Sequence, residues 1–208
     1  MSFRLGDLLL VIDVQVDFLP GGALAVPDGD AVIAPINRLI GQAPHVVLTQ
    51  DWHPAGHISF ASTHGGRAPF ETVELAYGAQ VLWPDHCVQG SAGAAFHPDL
   101  LTDRAELVVR KGHHPEVDSY SAFMEADRVT RTGLAGALRE RGISRVLVCG
   151  LALDYCVAWS ALDAREAGFE VAVIADATRG IARDSISAAW ARMEAAGIGR
   201  VSAGELTG

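Results

Sequence analysis

Short runs of Leu, Val and Ile recur along the chain, and stretches with helical spacing lie between them. The runs are LLLVID (8–13), HVVLTQ (45–50), ELVVR (106–110), RVLVCG (145–150) and EVAVIA (170–175), followed by a weaker run, IGRVSA, near the carboxyl end. Runs that are apolar almost throughout predict strands buried on both faces, as in a parallel sheet. Helical spacing covers 31–40, 132–141, 154–168 and 184–197. This alternation predicts a doubly wound α/β fold, with helices on both faces of a mainly parallel sheet.

The segment 51–104 breaks this alternation, because it has little periodicity and contains WHPAGH, HGGRAP, WPDHC and FHPDL. An irregular segment of that length inside a domain is usually functional. The 208 residues suffice for one good-sized core, and no linker or repeat divides them. We therefore predict a single domain over 1–208 with a functional insert at about 51–104.

Composition and charge exclude several classes of protein. The net charge is −9 and the Lys and Arg residues form no cluster, so a nucleic-acid-binding protein is not expected. No segment approaches the roughly 20 apolar residues that span a bilayer, and the early run LLLVI is too short for a signal peptide. The three cysteines are odd in number and not closely paired, which predicts a reduced, cytoplasmic protein.

Polar residues stand where four of the predicted strands end: Asp13, Asp51, Lys111 and the loop before Cys156. Ligands of such folds gather at the carboxyl ends of the strands. Cys156 begins a predicted helix, where free N–H groups and the helix dipole favour a thiolate. A packed thiol on the helix face is an equally good interpretation of the local sequence. A nearby Lys would lower the pKa of both acids, and Asp13 could then carry the thiol proton.

A candidate metal site lies in the stretch TQDWHPAGHISF, residues 49–60. Asp51 and His53 are two apart just past a predicted strand, so both side chains can point the same way. Carboxylate and imidazole groups bind divalent transition metals, and imidazole suits zinc, iron and copper. His57 lies in the same stretch, and spacing alone does not decide which of the three residues are ligands.

Five segments, taken together and in this order, resemble the nicotinamidases (pyrazinamidases), which belong to the isochorismatase-like cysteine hydrolases. They are VIDVQVDFLPGGALAV, LTQDWHPAGHISFA, LWPDHCVQGSAGAAFHPDL, RKGHHPEVDSYSAF and VCGLALDYCVAWSALDA. The resemblance runs essentially from end to end. It implies the three-layer α/β/α fold of that superfamily, and it implies that the insert at 51–104 carries metal-binding and substrate-binding residues.

The resemblance also implies roles for particular residues. It makes Cys156 the nucleophile, Asp13 the acid and base, and Lys111 the supporting cation. It places the oxyanion hole at the N–H groups of Ala152 and Cys156, next to a non-proline cis peptide bond that joins Leu151 to Ala152.

One divalent metal ion is implied in the same way, with Asp51, His53 and His86 as its ligands. Zinc is the expected ion, and iron and manganese are the alternatives. His57 is an additional ligand in some members of the family and not in others, so its role stays open. A catalytic zinc site often has three protein ligands, which favours the smaller set.

The substrate pocket is expected around Phe18, Trp83 and Tyr120, which match the positions that surround the substrate ring in the family. Stacking on a flat pyridine suits aromatic side chains. The sequence departs from many relatives in KGHHP, where they carry a small or amide residue after KG. His113 and His114 could therefore affect substrate preference.

The reaction implied by the resemblance is hydrolysis of nicotinamide to nicotinate and ammonia through a thioester, in NAD salvage, with pyrazinamide as a further substrate. The alternative is another isochorismatase-like amidase that acts on a different small carboxamide. A non-enzymatic metal-binding module would not need Cys156, Asp13 and Lys111 together. A dinucleotide-dependent oxidoreductase would carry G-x-G-x-x-G where VQVDFLPGG stands. The expected partner is a small molecule, with no nucleic acid and no membrane, and both a monomer and a homo-oligomer remain open.

Overall fold

A six-stranded parallel sheet forms the centre of the computed structural model, which describes residues 2–207. The strands are, in chain order, β1 (Asp7–Ile12), β2 (His45–Asp51), β3 (Thr72–Leu75), β4 (Gly78–Val81), β5 (Leu107–Lys111), β6 (Arg145–Leu151), β7 (Glu170–Arg179) and β8 (Gly199–Val201). β3 and β4 form a separate antiparallel hairpin. The other six strands pair in parallel in the order β5-β2-β1-β6-β7-β8. All six strands predicted from the sequence are therefore present.

Helices cover both faces of the sheet. They are α1 (Ile33–Ile40), α2 (Leu134–Glu140), α3 (Ala158–Glu166), α4 (Arg183–Ala195) and α5 (Ala203–Thr207). Successive residues of a strand point to opposite faces, so Leu9 of β1 packs with α1 and α5 while Leu8 and Leu10 pack with α2, α3 and α4. The doubly wound, three-layer arrangement is thus confirmed. Within residues 2–207, no helix combines the length and the apolar character needed to cross a membrane.

Three elements differ from the sequence prediction. α3 begins at Ala158 because residues Leu153–Val157 form a π-helical turn before it. The segment 51–104 contains the β3–β4 hairpin, whose strands have only 4 residues each and little apolar character. α5 is not predicted because its 5 residues are too few to show a helical period.

The chain leaves the central strand β1 in both directions, first to β2 and β5 on one side and later to β6, β7 and β8 on the other. Such a reversal opens a crevice at the carboxyl ends of the strands next to it. β6 approaches β1 so closely at Gly150 that an added Cβ would lie 2.1 Å from the carbonyl oxygen of Ile12. Gly150 also has a φ of +107°, so this junction requires glycine.

Candidate active site

Four strand ends bring Asp13, Asp51, Lys111 and Cys156 together in this crevice. Asp13 directly follows β1, while Asp51 and Lys111 are the last residues of β2 and β5. Asp51 and Lys111 are direct partners in the parallel register, so their side chains leave the sheet on the same face. Cys156 lies in the π-helical turn that follows β6. All four residues are buried.

Lys111 is the centre of this group. Its Nζ lies 2.9 Å from Asp13 Oδ2, 2.9 Å from Asp51 Oδ1 and 3.4 Å from Cys156 Sγ, and it donates to the carbonyl oxygen of Ser119 at 3.1 Å. Burial alone would lower the pKa of Lys111, but the charges of Asp13 and Asp51 raise it well above its ordinary value. Lys111 is therefore a buried, permanent cation between two carboxylates and a thiol.

Asp13 is held in an unusual backbone conformation. Its φ is +47°, a left-handed value that Asp adopts more readily than most residues. The Thr49 hydroxyl accepts from the Asp13 N–H at 3.1 Å and donates to Asp13 Oδ1 at 2.5 Å. Burial raises the pKa of Asp13, and Lys111 and Thr49 reduce that rise by stabilising the ionised form. A carboxyl group with a raised pKa is suited to exchanging a proton near neutral pH.

The turn that carries Cys156 begins at the end of β6. The cis peptide bond expected between Leu151 and Ala152 is present. The N–H groups of Tyr155 and Val157 both donate to the carbonyl oxygen of Ala152 at 3.1 Å, which fixes the turn. Burial raises the pKa of the Cys156 thiol well above its ordinary value, the charge of Lys111 lowers it, and a hydrogen bond with Asp13 raises it. The thiol therefore keeps its proton at rest, with Lys111 Nζ 3.4 Å from its sulfur.

Asp51, His53 and His86 form a second buried cluster next to the first. Asp51 Oδ2 lies 3.2 Å from His53 Nε2 and 3.5 Å from His86 Nε2. The other ring nitrogens, both Nδ1, donate to the carbonyl oxygens of Gly112 at 2.9 Å and Pro84 at 2.8 Å. Those hydrogen bonds leave both Nε2 atoms facing Asp51, an arrangement typical of metal-binding histidines. The donor set fits one divalent metal ion.

Asp51 connects the two clusters. Its Oδ1 accepts from Lys111 and its Oδ2 faces the two imidazoles. Burial opposes ionisation of Asp51, but the charges of His53 and Lys111 hold its pKa well below the ordinary value. Asp51 is therefore a carboxylate at neutral pH, available on one oxygen to a metal ion and engaged by Lys111 on the other.

His57 is buried, and the structure shows hydrogen-bond partners for both of its ring nitrogens. Its Nε2 donates to the carbonyl oxygens of His114 at 2.9 Å and Val117 at 3.2 Å, and its Nδ1 bonds to Ser59 Oγ at 2.7 Å. The ring packs on His53 with centroids 4.3 Å apart. Because both ring nitrogens bind protein atoms, His57 acts here as a support for the ring of His53.

A cavity reaches Cys156 from the surface and brings together all three residues predicted for the substrate pocket, Phe18, Trp83 and Tyr120. Trp83 Nε1 donates to the Tyr120 hydroxyl at 3.1 Å, which locks two of the aromatic walls. Ala152 and Cys156, the expected oxyanion-hole residues, also line the cavity, as do Asp51 and His86. The cavity is therefore lined by aromatic side chains together with the polar groups of Asp51, His86 and Cys156.

Four further lining residues are not predicted from the sequence: Leu24, Asp118, Tyr155 and Ile181. Tyr155 directly precedes Cys156, so its proximity to the predicted nucleophile is the one signal that could have identified it. Asp118 lies within RKGHHPEVDSYSAF, and its carboxylate accepts from Gln80 Nε2 at 2.7 Å. Leu24 and Ile181 reach the cavity only through the tertiary fold.

The chain is similar to known proteins along most of its length. The sequence profile of the isochorismatase domain matches residues 7–205. The nicotinamidase of Acinetobacter baylyi is 54% identical over 195 residues, which cover 93% of this chain and 91% of that protein. A solved nicotinamidase and pyrazinamidase of Acinetobacter baumanii superposes with a TM-score of 0.95 at 55% identity, covering 97% of this chain and 98% of the other. The pyrazinamidase of Pyrococcus horikoshii, solved in complex with zinc, has a TM-score of 0.79 at 39% identity and covers 95% and 99% of the two chains.

Proposed function

The chain belongs to the isochorismatase family, and from that membership and the geometry at Cys156 we propose that it hydrolyses nicotinamide to nicotinate and ammonia. The observation that carries the proposal is the position of Lys111 Nζ, 2.9 Å from Asp13 Oδ2 and 3.4 Å from the sulfur of Cys156, which lines an aromatic cavity. A thiol, a carboxyl group and a fixed cation at these distances are the components of nucleophilic amide hydrolysis.

In the first half of the reaction, the Asp13 carboxylate takes the thiol proton, and the Cys156 sulfur attacks the carboxamide carbon. The N–H groups of Ala152 and Cys156 stabilise the negative charge that develops on the amide oxygen. The C–N bond then breaks, and Asp13 gives its proton to the departing nitrogen, which leaves as ammonia. The acyl group remains on sulfur as a thioester.

In the second half, Asp13 takes a proton from a water molecule, and the resulting hydroxide attacks the thioester carbon. The C–S bond breaks, nicotinate leaves, and Asp13 returns the proton to Cys156. Lys111 keeps its charge throughout, which favours the ionised form of Asp13 and the thiolate at the stages where each is needed.

The substrate ring is proposed to lie between Phe18, Trp83 and Tyr120. Burial of apolar surface and ring contacts favour a flat aromatic ring in this space. Pyrazinamide has the same shape and the same carboxamide, so it is proposed as a second substrate, with pyrazinoate as its product.

We propose zinc as the ion at Asp51, His53 and His86, because two imidazoles and a carboxylate form a typical open zinc site and the P. horikoshii relative was solved with zinc. When bound, such an ion supplies a Lewis acid that holds the pyridine nitrogen, directly or through water, and so orients the substrate. A cytoplasmic location is part of the proposal, and the free, buried thiols of Cys87, Cys149 and Cys156 are consistent with a reducing compartment.

Ammonia release from nicotinamide and from pyrazinamide tests the proposed function. We expect Cys156→Ala to lower kcat at least about 1,000-fold, which corresponds to about 4 kcal/mol of lost transition-state stabilisation. Cys149→Ala is the matched control, because Cys149 is equally buried in β6 but lies outside the cavity, and it should keep most of the activity.

Three outcomes would contradict the proposal in different ways. Substantial turnover by Cys156→Ala would remove the cysteine mechanism, and if a chelator still abolished that turnover, a metal-bound hydroxide would be the better nucleophile. Ammonia release from another carboxamide, but not from nicotinamide, would identify the alternative amidase. Full activity after complete removal of metal would exclude the orienting role of the ion.

A further inference from the structure

A second group of potential metal ligands lies outside the active site, on the loop that follows β5. It consists of His113, His114 and Glu125, and one ligand atom from each lies within 4.8 Å of the others. His113 is exposed, while the Glu125 side chain is only 2% exposed. None of the three residues lines the cavity at Cys156. From this arrangement we propose a second metal site, specific for a borderline divalent transition ion such as Zn²⁺.

The two imidazoles are already close to each other. The ring centroids of His113 and His114 are 4.2 Å apart with 41° between the ring planes. His114 Nδ1 donates to Glu125 Oε2 at 2.6 Å, so an ion at this position would replace a shared proton. Two ring nitrogens and one carboxylate oxygen suit zinc, cobalt or nickel, while magnesium and calcium prefer sites made of oxygen atoms.

Main-chain hydrogen bonds hold the backbone of Glu125 in place. The Glu125 N–H donates to Thr130 O at 2.9 Å, and the Arg128 N–H donates to Glu125 O at 3.0 Å. Asp127 closes the same turn by accepting from the N–H and the hydroxyl of Thr130, and it interacts electrostatically with His114. The main chain of Glu125 is thus fixed below its buried carboxylate, and Asp127 adds negative potential close to the histidines.

The exposed side of the group leaves room for water or another small ligand to complete the coordination shell. Three protein ligands with an open position are the usual composition of an accessible zinc site. The main chain of the same loop also contacts the active site, because the His114 carbonyl oxygen accepts from His57 and the Gly112 carbonyl oxygen accepts from His53. An ion at His113 and His114 would therefore restrain a loop that supports the metal-binding cluster of Asp51.

Metal stoichiometry tests this site without reference to turnover. Full-length protein is stripped with a chelator, equilibrated with Zn²⁺ at defined free concentrations, and analysed for zinc per chain. We expect His113→Ala and Glu125→Gln to bind one equivalent less than the unsubstituted protein. His45→Ala is the matched control, because His45 forms a comparable pair with Glu106 at 2.8 Å and, among the described residues 2–207, belongs to no group of three potential ligands. Its stoichiometry should not change.

Ring nitrogen signals in long-range ¹H–¹⁵N spectra give a second measurement. Zn²⁺ should shift the signals of His113 and His114 and leave those of His45 unchanged. The proposal is overturned if His113→Ala and Glu125→Gln both bind as much zinc as the unsubstituted protein, or if their loss is matched by His45→Ala. It is also overturned if saturating Zn²⁺ leaves the signals of His113 and His114 where they are.

Discussion

Gly112 positions the ring of His53 in two ways: its carbonyl group binds the ring, and the absence of a Cβ atom leaves space for it. The carbonyl oxygen accepts from His53 Nδ1 at 2.9 Å, and a Cβ on Gly112 would lie 2.5 Å from His53 Cε1 and 2.7 Å from Nδ1. The φ of Gly112 is +66°, which is a strained value for a residue with a side chain. The position therefore needs glycine for two independent reasons.

We expect Gly112→Ala to displace the ring of His53 and so to lower the metal content per chain. The value of kcat/KM should fall roughly 10- to 100-fold, as it does for other residues that orient a metal ligand. Gly136→Ala is the control, because Gly136 lies in α2 with open space at its Cβ position, and alanine should raise stability there by about 0.5–1 kcal/mol. Metal analysis, kinetics and thermal unfolding measure the two variants. Unchanged metal content and kcat/KM in Gly112→Ala would show that the ring of His53 can move without loss.

In the proposed mechanism, the pKa of Asp13 is expected to set the acid side of the pH profile. The mechanism needs the Asp13 carboxylate to receive the thiol proton, and burial raises its pKa above the ordinary value. Since a raised pKa means that the carboxylate is lost earlier as the pH falls, kcat/KM should decline through a midpoint above about 4. Thr49→Val removes the hydroxyl that stabilises the carboxylate, so it should move this midpoint further up. If the midpoint lies at or below the pKa of an ordinary Asp, or if Thr49→Val does not move it, then Asp13 is not the group that titrates on the acid side of the profile.

At the scale of elements, Asp154 connects the turn that contains Cys156 to the start of α4. Its Oδ1 accepts from the Ile181 N–H at 3.0 Å, and its Oδ2 accepts from the Ala182 N–H at 3.2 Å and the Ser185 hydroxyl at 2.5 Å. Ile181 lines the substrate cavity, and Asp154 stands two residues before Cys156. One carboxylate thus fixes a wall of the cavity relative to Cys156.

Asp154→Ala should leave two N–H groups without their acceptor and lower the free energy of unfolding by roughly 2 kcal/mol, or about 4–8 °C in Tm. With the wall displaced, kcat/KM should fall about tenfold. Ser185→Ala removes only one of the three hydrogen bonds and should have a smaller effect on both quantities. If Asp154→Ala and Ser185→Ala show the same Tm and the same kcat/KM, the hydrogen bonds from the Ile181 and Ala182 N–H groups do not stabilise the cavity wall.

The elements differ in how much of them could be predicted. Apolar runs in the sequence predict buried parallel strands. The polar residues that end these runs, Asp13, Asp51 and Lys111, are predicted to lie together at the carboxyl ends of the strands, where the structure places them. The hairpin β3–β4 and helix α5 have no such pattern because they are short and partly exposed. Register is also hidden in a single sequence, so the shared contact of Lys111 with both Asp51 and Asp13 required the structure. The roles of these residues in catalysis remain predictions.

Across the whole molecule, a buried ion pair joins two strands that are far apart in the chain. Arg145, which begins β6, donates to Asp7 Oδ1 at 2.8 Å and to Oδ2 at 2.5 Å, and Asp7 begins β1. Both side chains are nearly inaccessible, at 2% and 1% exposure. The pair therefore fixes the register of the central strands at the edge opposite the active site.

Replacing only Arg145 should lower the free energy of unfolding far more than replacing both Arg145 and Asp7. We expect Arg145→Met to lower the free energy of unfolding by about 3–5 kcal/mol, because the Asp7 charge stays buried, and the double variant with Asp7→Leu to recover most of the loss. Glu170→Gln, in the exposed pair of Arg4 and Glu170 at 3.5 Å, should cost less than about 1 kcal/mol. Denaturant titrations measure all three. A loss in Arg145→Met no larger than in Glu170→Gln would mean that water reaches the buried pair.

The central place of β1 has a consequence for the growing chain on the ribosome. When synthesis has passed Lys111, β1, β2 and β5 can already associate, but the other edge of β1 has no partner until β6 emerges. An unpaired apolar edge is the kind of surface that associates with other nascent chains and that chaperones cover. Cys156 follows β6 in the chain, so its sulfur reaches the site only when β6 pairs with β1. Pairing of β6 with β1 therefore covers the exposed strand edge and completes the proposed catalytic group in the same step. A chain that stalls before β6 lacks Cys156 and is prone to aggregate.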